Sequence, residues 1–258
     1  SPADDLPMGG RLMVARAARH HPQQLPLQVQ LPDDELFSTY FAGANGEAVA
    51  WLKQLASQTN EPDSTDRFSW LSGPVASGKS HLLHATVAAA SAAGTRVMYL
   101  PVAEFADVTE PRSLLDGAND FQLLLLDDID HVLTASDWCF ELFALLNSVL
   151  DRGTTRVVMS ASQAAVQTDV ELADLKSRLQ WSTAYQLQPL SDDDKARALI
   201  LRAHWRGLDL PMDVALFMLH RLGRDMRALL RSLNTLDTAS IAAQRRLTIP
   251  FVKQALTI

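Results

Sequence analysis

The chain has 258 residues, 47% of them hydrophobic and 21% charged, with a formal net charge of −7. That length supports one or two domains with a core able to fold unaided, and the acidic balance argues against a protein that coats nucleic acid. The lone cysteine, Cys139, excludes an internal disulfide and fits a reducing, cytoplasmic compartment, and no apolar run reaches the length of a membrane span.

Residues 1–22 mix Pro, Gly, Arg and His with no sustained period, and a disordered leader is expected there. His20 and His21 have no Cys or carboxylate cluster beside them, so they read as a solvated tail rather than metal ligands. QLPLQV (24–29) alternates apolar and polar residues, but Pro26 excludes a central strand. An extended segment over 23–32 would either cover a sheet edge or dock into another protein's groove. Helical patterning follows from Asp33 to Ser57, with a break at 42–46 and Ala48, Leu52 and Leu55 on one stripe. Residues 58–66 are polar and acidic and read as a surface loop.

Gly73-Pro74-Val75-Ala76-Ser77-Gly78-Lys79-Ser80 then fits the phosphate-loop pattern G-x-x-x-x-G-K-[ST] at every fixed position. A strand-like run (67–72) precedes it. An Ala/Leu-rich helical run that opens at His81 and stops at Gly94 follows. In that context the glycines let successive N–H groups face phosphate oxygens, and the helix dipole reinforces the field. Lys79 is expected to reach the β- and γ-phosphates of a bound nucleotide, and the Ser80 hydroxyl to hold Mg2+.

Residues 96–101 form a second strand, and FQLLLLDDID (121–130) reads as a strand buried on both faces, ending in acids. Asp127 is placed to orient the water shell of magnesium, and Asp128 to polarise a water aimed at the γ-phosphate. A helix over 136–151, capped by Ser136 or Asp137, leads to a fourth strand at 156–162. There Ser160 or Ser162 is either a polar sensor or a plain strand-end turn. A short helix (171–181) and a fifth strand (183–188) complete a pattern that predicts a parallel sheet sandwiched by helices.

At Pro189 the pattern becomes wholly helical, opening on the S-x-x-D capping signature of residues 191–194. Helices are expected near 191–206, 212–222, 224–243 and 250–256. Arg224, Arg227 and Arg231 recur at spacings of three and four, as a solvated face or with one of them reaching back to phosphate.

These features together resemble the AAA+ superfamily of P-loop NTPases, in which a parallel α/β nucleotide domain carries a small all-helical lid. GKSHLLHA (78–85) and LLLLDDID (123–130) are similar to segments of the bacterial initiator DnaA, with an Asp in place of the more usual second Glu. LPDDELF, DLKSRLQW, LQPLSDDDK and RRLTIPFVKQAL resemble a narrower family, the DnaA-homologous Hda regulators, from about residue 24 onward. The resemblance implies a nucleotide domain over 33–188 and a lid over 189–258. Residues 73–80 and His81 would bind ADP or ATP with Mg2+. Arg227 would be the lid arginine on the nucleotide, and Ser162 the sensor of the fourth strand, where initiators often have an acid. Arg178 would be an arginine finger, set in a polar stretch between helix and strand, acting on a neighbouring subunit's nucleotide.

The same likeness makes QLPLQV a sliding-clamp peptide. Gln24, Leu25 and Leu27 fit it, whereas Gln28 and Val29 depart from the usual proline–leucine ending. A basic DNA-reading module, which an initiator carries beyond its lid, is not expected, so DNA would be met only through the clamp. The implied function is negative regulation of replication initiation, by stimulating ATP hydrolysis on DnaA at the β clamp of DNA polymerase III. The rival is an autonomous ATPase of helicase-loader or initiator type, and a homo-oligomer is compatible with either. A plain adaptor with a vestigial site is disfavoured by the intact loop.

Overall fold

The computed structural model describes residues 31–32, 34–57, 67–243 and 246–258. The expected leader (1–22), the segment with Gln24, Leu25 and Leu27, and the loop over 58–66 lie outside the described residues.

The five strand-like segments become five strands: β1 (Phe68–Ser72), β2 (Val97–Pro101), β3 (Leu123–Asp127), β4 (Arg156–Ala161) and β5 (Thr183–Gln186). All pairings are parallel, in the order β2-β3-β4-β1-β5. Because strand side chains alternate, Leu124 and Leu126 point to one face of the sheet and Leu123 and Leu125 to the other. Helices α1 (Gly46–Ser57) and α2 (Lys79–Ala92) cover the second face through Leu52, Leu55, Leu82 and Leu83. Beyond the short α3 (Arg112–Leu115), α4 (Ser136–Arg152) and α5 (Ala173–Gln180) cover the first through Trp138, Leu142, Leu175 and Leu179. The four consecutive leucines are thus apolar because both of their faces are covered.

Local chemistry moves two helix starts. Regular helix begins at Gly46 rather than near Asp33, because the Thr39 hydroxyl accepts from Leu36 N (3.0 Å) and reaches the carbonyl of Asp34 (2.6 Å). That side-chain turn takes the backbone groups a helix would need. In α4 neither Ser136 nor Asp137 is the cap, contrary to expectation. Ala135 holds the N-cap position with no side-chain bond, and Asp137 contributes only a negative charge at the positive helix end.

The last part of the chain is helical: α6 (Asp192–Trp205), α7 (Met212–Leu222), α8 (Met226–Ala243) and α9 (Ile249–Leu256). Ser191 caps α6 by accepting from Asp194 N at 3.1 Å, so the S-x-x-D signature acts as read. Leu199, Met218, Leu233 and Phe251 share a separate core. Among the described residues no helix is long and apolar enough to cross a membrane.

Candidate nucleotide site

Between β1 and α2 the chain turns at glycines where a side chain does not fit. Gly78 has φ +95°, and a Cβ there would lie 2.6 Å from Cε2 of Tyr40. At Gly73 a Cβ would lie 2.6 Å from Ser77 Oγ. Gly78→Ala therefore meets both a disfavoured dihedral and a ring. It is expected to cost roughly 1–3 kcal/mol, read as a lower urea midpoint with unchanged slope. A wild-type midpoint would show that the turn tolerates a side chain.

The left-handed Gly78 caps α2, which starts at Lys79 rather than His81, so the helix N-terminus opens directly onto the loop. Ser77 Oγ is buried and finds no partner among the described residues. Lys79 is only 7% exposed, yet its Nζ donates to Gly73 O at 3.0 Å and lies 3.7 Å from Asp128 Oδ1. A buried ammonium, an unpartnered hydroxyl and a helix N-terminus within one loop form a donor set that suits polyphosphate.

β4 lies between β1 and β3, and it brings Ser160 to the acidic pair. Ser160 Oγ donates to Asp127 Oδ1 and accepts from Asp128 N at 2.8 Å, while Tyr99 OH donates to Asp127 Oδ2 at 2.8 Å. Burial and the Asp127 charge push the Tyr99 hydroxyl well above its ordinary pKa, which keeps it a donor. Asp128 leaves the strand in left-handed geometry with φ 51°. Burial and then Asp127 raise its carboxyl pKa, with Lys79 opposing. Of the two serines weighed from the sequence, Ser160 braces the acids from behind. Ser162 lies in the cleft wall, bonded through N and Oγ to Asp130 Oδ2.

The resulting cleft has a volume of ≈ 210 Å³. Val75 to His81, Asp128 and Ser162 form one wall, and Tyr40 and Phe41 close its edge. Leu190, Ala198, Arg202, Met226, Arg227 and Leu230 supply the opposite wall. Only Arg227 of the arginine stripe lines the cleft. Arg224 pairs instead with Asp192 at 2.8 Å. His81, read as a nucleotide-binding residue, lines the cleft, and its Nε2 donates to Leu36 O at 2.9 Å. Burial lowers its pKa, which favours the neutral ring.

Arg178 lies on α5, inside the short helix read over 171–181 rather than in a polar stretch between helix and strand, and it is half-buried. Its Nη2 donates to Asn147 Oδ1 at 2.9 Å, and its guanidinium sits 5.4 Å from the Trp181 ring centroid. Leu175 and Leu179 anchor the helix, but Trp181 is 73% exposed and anchors nothing. Arg178 does not line the cleft.

Sequence reasoning missed Tyr40, Tyr99 and Arg202. Tyr99 lies in an otherwise apolar strand, where a single polar residue was the available signal, whereas Arg202 lies in a helix with several charges and nothing local marks it out.

The parallel sheet with its phosphate loop and helical lid defines an AAA+ architecture. The chain belongs to the bacterial DnaA ATPase domain family, whose profile matches residues 31–186, and it is Hda-like, since residues 192–256 match the Hda lid domain. Domain III of the Thermotoga maritima replication initiation protein DnaA is similar in fold, with a TM-score of 0.72 and 19% identity. That match covers 89% of this chain and 98% of the other. AMPPCP-bound DnaA from Aquifex aeolicus matches with a TM-score of 0.65 and 18% identity, over 83% of this chain and 69% of the other. The Thermotoga maritima RuvB Holliday junction branch migration motor matches with a TM-score of 0.60 and 14% identity, over 86% and 72%.

Proposed function

We propose that this protein is a nucleotide-bound regulator that stimulates ATP hydrolysis by DnaA in trans, while held at replicated DNA by the sliding clamp. The observation that carries the reading is the position of Arg178. It is the arginine that resembles a finger, and it stands outside the chain's own cleft. A cation placed there can meet a phosphoryl group only on another subunit. The expected partners are DnaA and the β clamp, with DNA reached through the clamp.

In this reading residues 33–188 are the nucleotide domain and 189–258 the lid. The loop donors and Lys79 bind the phosphates of ADP or ATP, and Arg227 meets the nucleotide from the lid side. Ser80 and Asp127 would hold Mg2+ and its waters, and the ion would offset phosphate charge. Tyr99 and Ser160 fix the Asp127 carboxylate for that task. The bound nucleotide then sets the geometry between domain and lid rather than serving as substrate. The test is DnaA's ATP hydrolysis with clamp-loaded DNA, with and without this protein. Absence of any stimulation would overturn the reading.

A second reading, autonomous ATP hydrolysis, is favoured by Lys79 and Asp128 standing 3.7 Å apart in one cleft. Steady-state turnover by the purified protein alone separates the two.

Residues 24–29 are expected to dock on the clamp through main-chain bonds and a few anchor side chains. Gln24→Ala and Leu27→Ala should each weaken clamp binding about tenfold or more, a loss of roughly 1.4 kcal/mol, without changing ADP affinity. Surface plasmon resonance on immobilised clamp reads this. Wild-type affinity in both variants would leave the segment a covering strand only.

A further inference from the structure

Residues 34–40 run along one edge of the cleft and are bonded to both of its walls. Toward the helical wall, Arg202 Nη1 donates to the Asp34 carbonyl at 2.7 Å and Arg202 Nη2 pairs with Asp34 Oδ2. Arg206 Nη2 donates to the same carboxylate oxygen at 2.9 Å. Toward the loop wall, Glu35 Oε2 is 2.5 Å from His84 Nδ1, and Leu36 O accepts from His81 Nε2 at 2.9 Å. Thr39 Oγ1 lies between the two sets, 3.4 Å from both Arg202 Nη1 and His81 Nε2.

The elements joined in this way are those that carry the site. α2 begins with the loop lysine, and α6 presents Ala198 and Arg202 to the cleft. Arg206 also donates to Asn234 Oδ1 on α8, the helix that carries Arg227. Arg202 is 6% exposed, and among the described residues no other carboxylate is ion-paired with either guanidinium. One carboxylate is therefore ion-paired with two largely buried cations, Arg202 of the opposite wall and Arg206 at the end of its helix, with the Glu35 charge adding a weaker pull on Arg202.

We propose that Asp34 is a positioning residue for the bound nucleotide, latching the helical unit to the entry segment and so setting how long the nucleotide stays in the cleft. The proposal rests on reading the cleft as a nucleotide site. Replacing Asp34 by Asn keeps the shape and an acceptor but leaves two guanidiniums facing a neutral amide. Removing one partner of a buried pair is strongly unfavourable, because the remaining charge is uncompensated. The relief open to it is separation of α6 from residues 34–40, which lets water reach the guanidiniums and opens the cleft. Nucleotide release needs that same opening, so the effect belongs in the dissociation rate.

The experiment is stopped-flow binding and release of N-methylanthraniloyl-ADP by the full chain. Asp34→Asn should raise the dissociation rate about tenfold or more while the association rate changes about threefold or less. Asp34→Glu, which restores the charge, should recover most of the loss, a rescue that a merely space-filling role would not show. Equal dissociation rates in wild type and Asp34→Asn overturn the proposal, as does Asp34→Glu behaving like Asp34→Asn. Should Asp34→Asn fail to fold, Arg206→Gln carries the test, since it cuts one of the two guanidinium contacts of the latch and the link from Arg206 to Asn234 of α8. Release should then quicken, though less than in Asp34→Asn. Its wild-type release rate would overturn the latch. Lys79→Ala keeps the two readings apart. If that variant binds the probe like wild type, the nucleotide site itself is wrong and the latch falls with it. If Lys79→Ala loses binding and Asp34→Asn releases normally, only the latch is wrong.

Discussion

Arg178→Ala is expected to return DnaA's ATP hydrolysis on clamp-loaded DNA to near the rate DnaA shows alone. Arginine fingers supplied in trans contribute about 10³–10⁵ in rate, because the cation meets charge that develops only in the partner's transition state. In the free protein the side chain is engaged by Asn147 Oδ1 and by the Trp181 face, so it is held near one orientation before any partner arrives. Losing those contacts costs little at a half-exposed position, with a surface cation–π contact contributing about 0.5–1 kcal/mol. Folding, ADP binding and clamp binding should therefore survive, which a thermal melt and the two binding assays would verify. Arg178→Lys should rescue poorly, since an ammonium lacks the planar fork that spans two phosphate oxygens. Full stimulation by Arg178→Ala would show that the trans cation is a different residue.

Lys79→Ala is expected to abolish tight nucleotide binding while leaving the sheet domain folded. Although only 7% exposed, Lys79 Nζ bonds to Gly73 O and faces Asp128, and the loop wall rather than the hydrophobic core supplies its partners. Its removal deletes the charge that faces the phosphates and leaves Asp128, whose pKa is already raised by burial, without its opposing cation. By linkage, a ligand at about a hundred times its dissociation constant stabilises a protein by roughly 2.7 kcal/mol. Wild type should gain that stability from saturating ADP, and Lys79→Ala should gain almost none. Nucleotide content after purification gives a second reading. A variant still stabilised by micromolar ADP as strongly as wild type would overturn the assignment of the loop.

Periodicity and spacing made the strands, the phosphate loop, the acidic strand end and the four late helices legible. The reason is that each is specified by neighbours within a few residues. Leu123 to Leu126 read as a doubly buried strand because a continuous apolar run has no solvent face to spare, and both faces are indeed covered. Ser191 read as a cap because its partner, Asp194 N, is three residues away. The sequence also singled out Arg227 among three arginines through the family likeness, and that residue lines the cleft.

What only the tertiary structure decided involves partners far apart in the chain. The Asp34–Arg202 contact joins residues 168 positions apart, and nothing in the neighbourhood of either announces the other. Tyr99 reaches Asp127 because β2 and β3 pair in register, with Pro101 opposite Asp127 and Tyr99 two residues before it. Ser160 rather than Ser162 braces the acids because β4 lies beside β3 with Met159 opposite Leu126, so Ser160 is level with the end of β3. Ser162 lies past the end of β4 and meets Asp130 instead. Arg178 read as part of a polar stretch between helix and strand, yet packing of Leu175 and Leu179 keeps α5 regular through Gln180 and so holds Arg178 on the helix. Short-range patterns fix which element a residue joins. Which charge meets which is fixed by how the elements pack, and that choice is made by the whole core at once.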